Sequence, residues 1–274
     1  MAVTSGRPEI RIGLVDGPIA MDHPDLATEN VRQISGKANA ACARTNSAAC
    51  RHGTFVAGIL SARRESPAPA ICPQCTLLVR PIFAETAQRD GQLPTASPEE
   101  LAAAILECVE EGARVVNLSV ALGQTSPNSE RQLEDALDHA ARRGVVVVAA
   151  AGNEGAVGSS AITRHPGTVP VVAYDTRGRP IDQSNLGASI GRRGFGAAGD
   201  GVTSLGAEGK PITLGGTSVA APFVSGAVAL LWSAFPAATP ARVRLAIRQA
   251  APRRPTVVPP LLDAWKAYQL MKAV

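Results

Sequence analysis

The pattern that most constrains this chain is a run of branched apolar residues placed directly behind a helix stop, repeated along the sequence. The stretch V-V-V-V-A-A (145–150) follows a helical face of Leu133, Ala136, Leu137, Ala140 and Ala141 that ends at Gly144. The stretch V-V-N-L-S-V (115–120) follows another helix in the same way. Ser97-Pro98-Glu99-Glu100 opens that helix as a capping box with Pro at the first turn, Leu101, Ile105, Cys108 and Val109 form its face, and Gly112 ends it. Further strands are expected at Ile10–Val15, Thr76–Phe83 and Val169–Tyr174. Strands apolar on both faces and separated by helices require a mostly parallel sheet covered by helices on each side. The Gly-rich region 187–216 reads as loops and short strands, and helices return at 218–235, 240–250 and 261–272. No repeat or linker divides the chain, so a single α/β domain over 1–274, with 1–9 as an N-terminal extension, is expected.

Composition narrows the function classes. Hydrophobic residues make up 45% of the chain and charged ones 18%, which suits a folded enzyme-sized core rather than disorder. The net charge of +4 is scattered in pairs such as Arg63-Arg64, Arg142-Arg143 and Arg192-Arg193. A nucleic-acid binder would concentrate cations and interleave aromatics, so nucleic acid is not an expected partner. No apolar run approaches the ~18–20 residues of a membrane span, and the N-terminus lacks the apolar core of a secretory signal. The chain therefore reads as a cytoplasmic monomer, or as secreted if it is a processed form. Five cysteines leave at least one unpaired, and Cys108, in a helical pattern, reads as a core residue.

One serine is surrounded by small residues: L-G-G-T-S-V-A-A-P-F-V-S-G (214–226) places Ser218 at the start of an apolar helix. Such a segment is either a tight turn under a buried helix or a hydroxyl that something must approach. A nucleophilic serine needs a base, and the base needs a third group to orient it. Of four histidines, His139 reads as a packed or surface side chain, and His23 and His165 precede prolines in turns. His52 opens H-G-T-F-V-A-G, with a glycine clearing space and a helix beginning beneath it. Asp16 ends the first buried strand, where open α/β sheets assemble their sites.

The stretches V-D-G-P-I-A-M-D-H-P-D-L, H-G-T-F-V-A-G and G-T-S-V-A-A-P-F-V-S-G, in the order Asp, His, Ser, resemble the subtilisin (subtilase) family of serine peptidases. A fourth stretch, V-V-V-V-A-A-A-G-N-E-G, supplies Asn153, and the resemblance runs from about residue 10 to the C-terminal helix. It implies a subtilisin-like three-layer fold, with Ser218 as nucleophile, His52 as base and Asp16 as its orienting partner. The Ser218 N–H and the Asn153 amide would hold the oxyanion. Gly215, Gly216 and Ala220 would leave room for the substrate carbonyl. An extended peptide or unstructured polypeptide would bind between Leu118, Ser119, Val120 and Ala121 on one side and Ala150, Ala151 and Gly152 on the other. If the loop after Asn153 keeps the family's length, Arg164 falls at the floor of the primary specificity pocket; the alternative is a surface arginine.

The sequence also departs from the family. Phe55 stands where common subtilases carry a second histidine, and Gly17-Pro18 replaces a Thr-Gly or Ser-Gly pair. The D-G-P and H-P-D-L stretches are similar to subtilases that mature ribosomal peptide precursors, such as cyanobactin-type proteases. Asp25 matches a calcium ligand, but R-R-E-S-P-A-P-A-I-C-P-Q-C lacks the Asn-rich loop that completes the site, so neither calcium nor another cofactor is required. Cys42, Cys50, Cys72 and Cys75 are candidates for disulfides, free thiols or, less in keeping with their spacing, a zinc site. The expected activity is endopeptidase cleavage. A peptidyl transferase or macrocyclase and a peptide-binding pseudopeptidase are the alternatives.

Overall fold

The computed structural model describes residues 3–34, 39–85, 96–120, 126–251 and 256–273. Its strands are β1 (Arg11–Asp16), β2 (Val31–Gln33), β3 (Thr76–Pro81), β4 (Val115–Leu118), β5 (Val146–Ala150), β6 (Thr168–Tyr174), β7 (Phe195–Ala198), β8 (Val202–Ser204) and β9 (Ile212–Leu214). Between and after them run α1 (Ala48–Ser61), α2 (Pro98–Glu110), α3 (Pro127–Arg142), α4 (Ala161–Arg164), α5 (Ala188–Arg193), α6 (Thr217–Ala234), α7 (Pro240–Ala250) and α8 (Ala264–Lys272). Seven strands form one sheet in the order β2-β3-β1-β4-β5-β6-β7, and every neighbouring pair is parallel. The strands β8 and β9 make a separate antiparallel pair.

Side-chain alternation explains the layers. On β1, Ile12 and Leu14 enter one core together with Val146 and Val148 of β5 and with α6, including Trp232. The intervening Val15, Val147 and Ala149 enter the opposite core with Leu101 and Ile105 of α2 and Leu133 and Leu137 of α3. The expected three layers are therefore present. The helix ends obey local chemistry. Ser97, Thr239 and Asp263 accept the N–H groups of Glu100, Arg242 and Lys266, while Gly112 and Gly144 take φ of 76° after α2 and α3.

Three expectations need correction. The region 187–216 contains α5 and β7, and β7 adds a seventh strand to the sheet through Val171↔Phe195 to Tyr174↔Ala198. The last helix starts at Ala264, because Asp263 caps it, rather than at 261. The helix α6 is, at 18 residues, long and apolar enough to cross a membrane although no unbroken apolar run is present. It is instead the central core helix, with 83% of its span buried.

The cysteines resolve into two classes. Cys42 and Cys50 form a disulfide, while Cys72, Cys75 and Cys108 are buried free thiols. Of the alternatives open for Cys42, Cys50, Cys72 and Cys75, the first pair takes the disulfide and the second the free thiols, and Cys108 is the core residue expected. The zinc alternative fails because two of its four sulfurs are bonded to each other. A hydrogen bond between the thiols holds Cys72 protonated and favours ionisation of Cys75.

Candidate active site

The sheet order turns at β1, whose neighbours β3 and β4 leave in opposite directions along the chain. Asp16 is the last residue of β1 and lies at this switch point, fully buried. Close approach then brings His52 to it. A Cβ at Gly17 would overlap the Ala49 carbonyl oxygen, and one at Gly53 would overlap the Pro18 carbonyl oxygen. Two glycines thus let the chain after β1 lie directly on α1. His52, 7% exposed in the second turn of α1, donates from Nδ1 to Asp16 Oδ1 at 2.7 Å. The carboxylate partner selects the Nδ1–H tautomer and leaves Nε2 as an acceptor. Ser218 donates its hydroxyl to that Nε2 at 2.9 Å. Asp16 Oδ1 also accepts the Gly17 N–H at 2.6 Å. Oδ2 is buried with no partner among the described residues. Pro18, lacking an N–H, cannot serve it.

Ser218 is the second residue of α6, where no intrahelical acceptor exists for its N–H. Gly216, at φ 124°, caps the helix, and the Asn153 carboxamide packs against it, 3.3 Å from where a Cβ would stand. Asn153 Oδ1 accepts the Thr217 N–H at 2.8 Å, so its Nδ2 remains as a donor beside the Ser218 N–H. Thr217 Oγ1 accepts the Gly152 N–H at 3.1 Å and ties the end of β5 to the same turn.

A second support lies behind the serine. Pro222 falls inside α6 and has no N–H for the Ser218 carbonyl four residues earlier. The Ser119 hydroxyl donates to that carbonyl instead, at 3.0 Å. Ser119 in turn accepts from Asn117 Nδ2 at 2.8 Å, and Asn117 Oδ1 accepts the Ser225 hydroxyl at 2.8 Å. All three side chains are buried.

These distances bring Asp16, His52, Ser218 and Asn153 together. The family model described as the subtilase family matches residues 7–264. The chain belongs to the subtilase family. Among characterised subtilases, it is 31% identical over 243 residues to a thermostable alkaline protease of Halalkalibacterium halodurans, matching 88% of this chain and 62% of that protein. Subtilisin DY of Bacillus licheniformis is 28% identical over 240 residues, 86% of this chain and 81% of its own. Among solved subtilase structures, the protease domain of PatA superposes with a TM-score of 0.88 at 30% identity, covering 100% of this chain and 98% of that one. The prenylagaramide maturation protease PagA gives 0.83 at 27% identity, covering 98% and 96%. The PatG macrocyclase shares the fold, with a TM-score of 0.82 at 20% identity.

The other expected subtilase positions fall as follows. The pairing of β4 with β5 ends at Leu118↔Ala149, beyond which Ser119 and Val120 part from Ala150–Gly152 and leave two facing backbone edges. Leu118, Ser119, Val120 and Ala151 have buried side chains, whereas Ala150 and Gly152 are half-buried, and Ala121 lies outside the described residues. Arg164 ends α4 with its guanidinium 45% exposed and bonded to Glu130 at 2.7 Å and Glu134 at 3.2 Å. That geometry is the surface-arginine alternative, since two carboxylates already match the cation offered to an acidic substrate side chain. Phe55 is fully buried in the core. The Asp25 carbonyl accepts the Arg63 N–H at 2.7 Å, which ties the turn after His23 to the end of α1.

Asn117, Ser225, Thr217 and Asn185 were not singled out as site residues from the sequence, though all four bond to elements of the site. For Asn117 and Ser225 the signal is a polar residue inside an apolar run, V-V-N-L-S-V and A-A-P-F-V-S-G, because buried polar groups are there to be paired; Asn185, in D-Q-S-N-L-G, and Thr217, in G-G-T-S, carry no such signal.

Proposed function

We propose that this chain is a serine endopeptidase that cuts extended peptide segments and matures a peptide precursor. The observation that carries the reading is the continuous path Asp16–His52–Ser218, with contacts of 2.7 and 2.9 Å, at the amino end of α6. His52 Nε2 takes the proton as Ser218 Oγ attacks the scissile carbonyl. Asp16 holds the ring and stabilises the imidazolium, and the proton passes to the leaving amine. Water then enters the acyl-enzyme by the same base. The Ser218 N–H and Asn153 Nδ2 receive the developing oxyanion, where one donor is worth about 10²–10³ in rate, a magnitude taken from a subtilisin amide of the same kind.

The parted edges at Ser119–Val120 and Ala150–Gly152 would take substrate as an added strand. This mode favours unstructured peptide over folded protein. Precursor maturation is supported by the likeness to PatA and PagA, both described as maturation proteases, over nearly the whole chain. Hydrolysis is favoured over peptidyl transfer because the macrocyclase likeness is one of fold alone at 20% identity.

A fluorophosphonate probe tests the nucleophile: labelling is expected in the native protein and absent in Ser218→Ala. Cleavage-site profiling of a diverse peptide mixture by mass spectrometry, with Ser218→Ala as control, then tests peptide cleavage. Wild-type cleavage by folded Ser218→Ala would refute the assignment.

A further inference from the structure

We propose that Asn185 is a positioning residue for the oxyanion donor, clamping the peptide units on both sides of Asn153. The inference rests on the reading of Ser218 as nucleophile and Asn153 as oxyanion donor. Asn153 itself is exposed, and among the described residues its side chain bonds to the Thr217 N–H. Its place is therefore set by its neighbours, and both of them are held by Asn185. The Asn185 N–H donates to the Gly152 carbonyl at 3.0 Å, one residue before Asn153. The Asn185 side-chain oxygen accepts the Glu154 N–H at 3.1 Å, one residue after it, and the Ala156 N–H at 2.9 Å. Nδ2 of the same side chain donates to the Glu154 carboxylate.

One carboxamide thus spends both lone pairs of its oxygen on the loop that carries the oxyanion donor. The fit is close on the other side as well. Gly152 adopts φ 105°, and a Cβ there would overlap Asn185 Nδ2, so the side chain packs directly against the backbone that precedes Asn153. A shorter side chain at 185 would keep the backbone bond to Gly152 but release Glu154 and Ala156. Asn153 would then have a fixed approach and a loose departure. Preorganisation is what gives an oxyanion donor its effect, so the loss should appear in the chemical step.

The test is a kinetic cycle with a cleavable peptide, using wild type, Asn185→Ala, Asn153→Ala and the double variant. Asn185→Ala is expected to lower kcat by about 10- to 100-fold, part of the full donor's effect, with KM within about two-fold of wild type. In the Asn153→Ala background the same change should cost less than about three-fold, because the donor it positions is gone. Equal losses in both backgrounds, or a loss confined to KM, would overturn the proposal. Full turnover by Asn153→Ala would instead overturn the oxyanion reading beneath it. A paired substitution covers the case in which Asn185→Ala does not fold. Asn185→Asp keeps both backbone acceptor bonds but sets a carboxylate against Glu154. Its kcat should fall, and Glu154→Gln, which restores a donor, should return it to within about three-fold of wild type. Failure of that rescue in folded protein counts equally against the clamp.

Discussion

Ser119 offers the sharpest test of how the serine is held. A helix carbonyl normally receives the N–H four residues on, but the residue four after Ser218 is Pro222. The Ser119 hydroxyl fills that gap at 3.0 Å and is only 1% exposed, so no solvent replaces it readily. Ser119→Ala strands two buried groups, the Ser218 carbonyl and the Asn117 Nδ2–H. At about 1–3 kcal/mol for each partner left without a bond, partly relieved by relaxation, the substitution should cost about 2–4 kcal/mol. Pro222→Ala restores a backbone N–H at the right place. In that background the Ser218 carbonyl keeps a donor, and the cost of Ser119→Ala should fall by about 1–2 kcal/mol. The four proteins are best compared in a Ser218→Ala background, which retains the carbonyl and prevents self-digestion. Urea unfolding followed by the fluorescence of Trp232, fully buried in the same helix, reads the stability of each. A coupling within about 0.5 kcal/mol of zero would mean that Ser119 and Pro222 act independently, and the argument would be wrong.

Other outcomes follow from the same contacts. Gly17→Ala forces a methyl group onto the Ala49 carbonyl oxygen; it should destabilise the fold by about 1–3 kcal/mol and, by moving Asp16 from His52, slow fluorophosphonate labelling by roughly 10²-fold. Removing the Cys42–Cys50 bond, whose residues are separated by 8 positions, should lower stability by about 2.5 kcal/mol in urea unfolding, and no change would argue against the bond in solution. Burial pushes the Cys108 thiol up to about 12 from 9.0. The unfolded chain therefore ionises first, and the stability this group contributes is whole below pH 9.0 and is lost as pH rises toward 12. At pH 10 wild type should have lost about 1.4 kcal/mol more than Cys108→Ala, relative to each protein at pH 8.

The sheet was legible wherever hydrophobic period and helix stop agreed, as at Gly112 before β4 and Gly144 before β5. It was not legible at α5 and β7, and the reason is physical. Glycine reads there as a sign of loops, but these glycines serve contact. A Cβ at Gly191 would overlap the Thr256 carbonyl oxygen, and one at Gly196 would overlap the Tyr174 ring. Glycine in a turn and glycine under a neighbour look alike until the neighbour, some 22 to 65 residues away here, is in place. The same ambiguity surrounded Ser218, and three spatially convergent stretches removed it. Arg164 shows the opposite case: the resemblance would put it at a pocket floor only if the loop kept the family's length, whereas Glu130 and Glu134 one turn apart on α3 hold it at the surface.

What brings the site together is more economical than the separation of its residues along the chain suggests. Asp16 ends β1, Ser119 follows β4, and Gly152 and Asn153 follow β5. These are adjacent strands, in the order β1-β4-β5, each about 4.8 Å from the next. Because the sheet is parallel, all three release their chain on the same side, and the amino end of α6 needs only to lie across them. Ser218 then meets the Asp16–His52 pair through its hydroxyl and Ser119 through its carbonyl, while Thr217 meets Gly152 and Asn153. In an antiparallel sheet the middle strand would end on the far side, and its support for the serine would be lost. The apolar runs behind helix stops therefore decide more than the fold class: they put Asp16, Ser119 and Asn153 on one edge, beneath the amino end of α6.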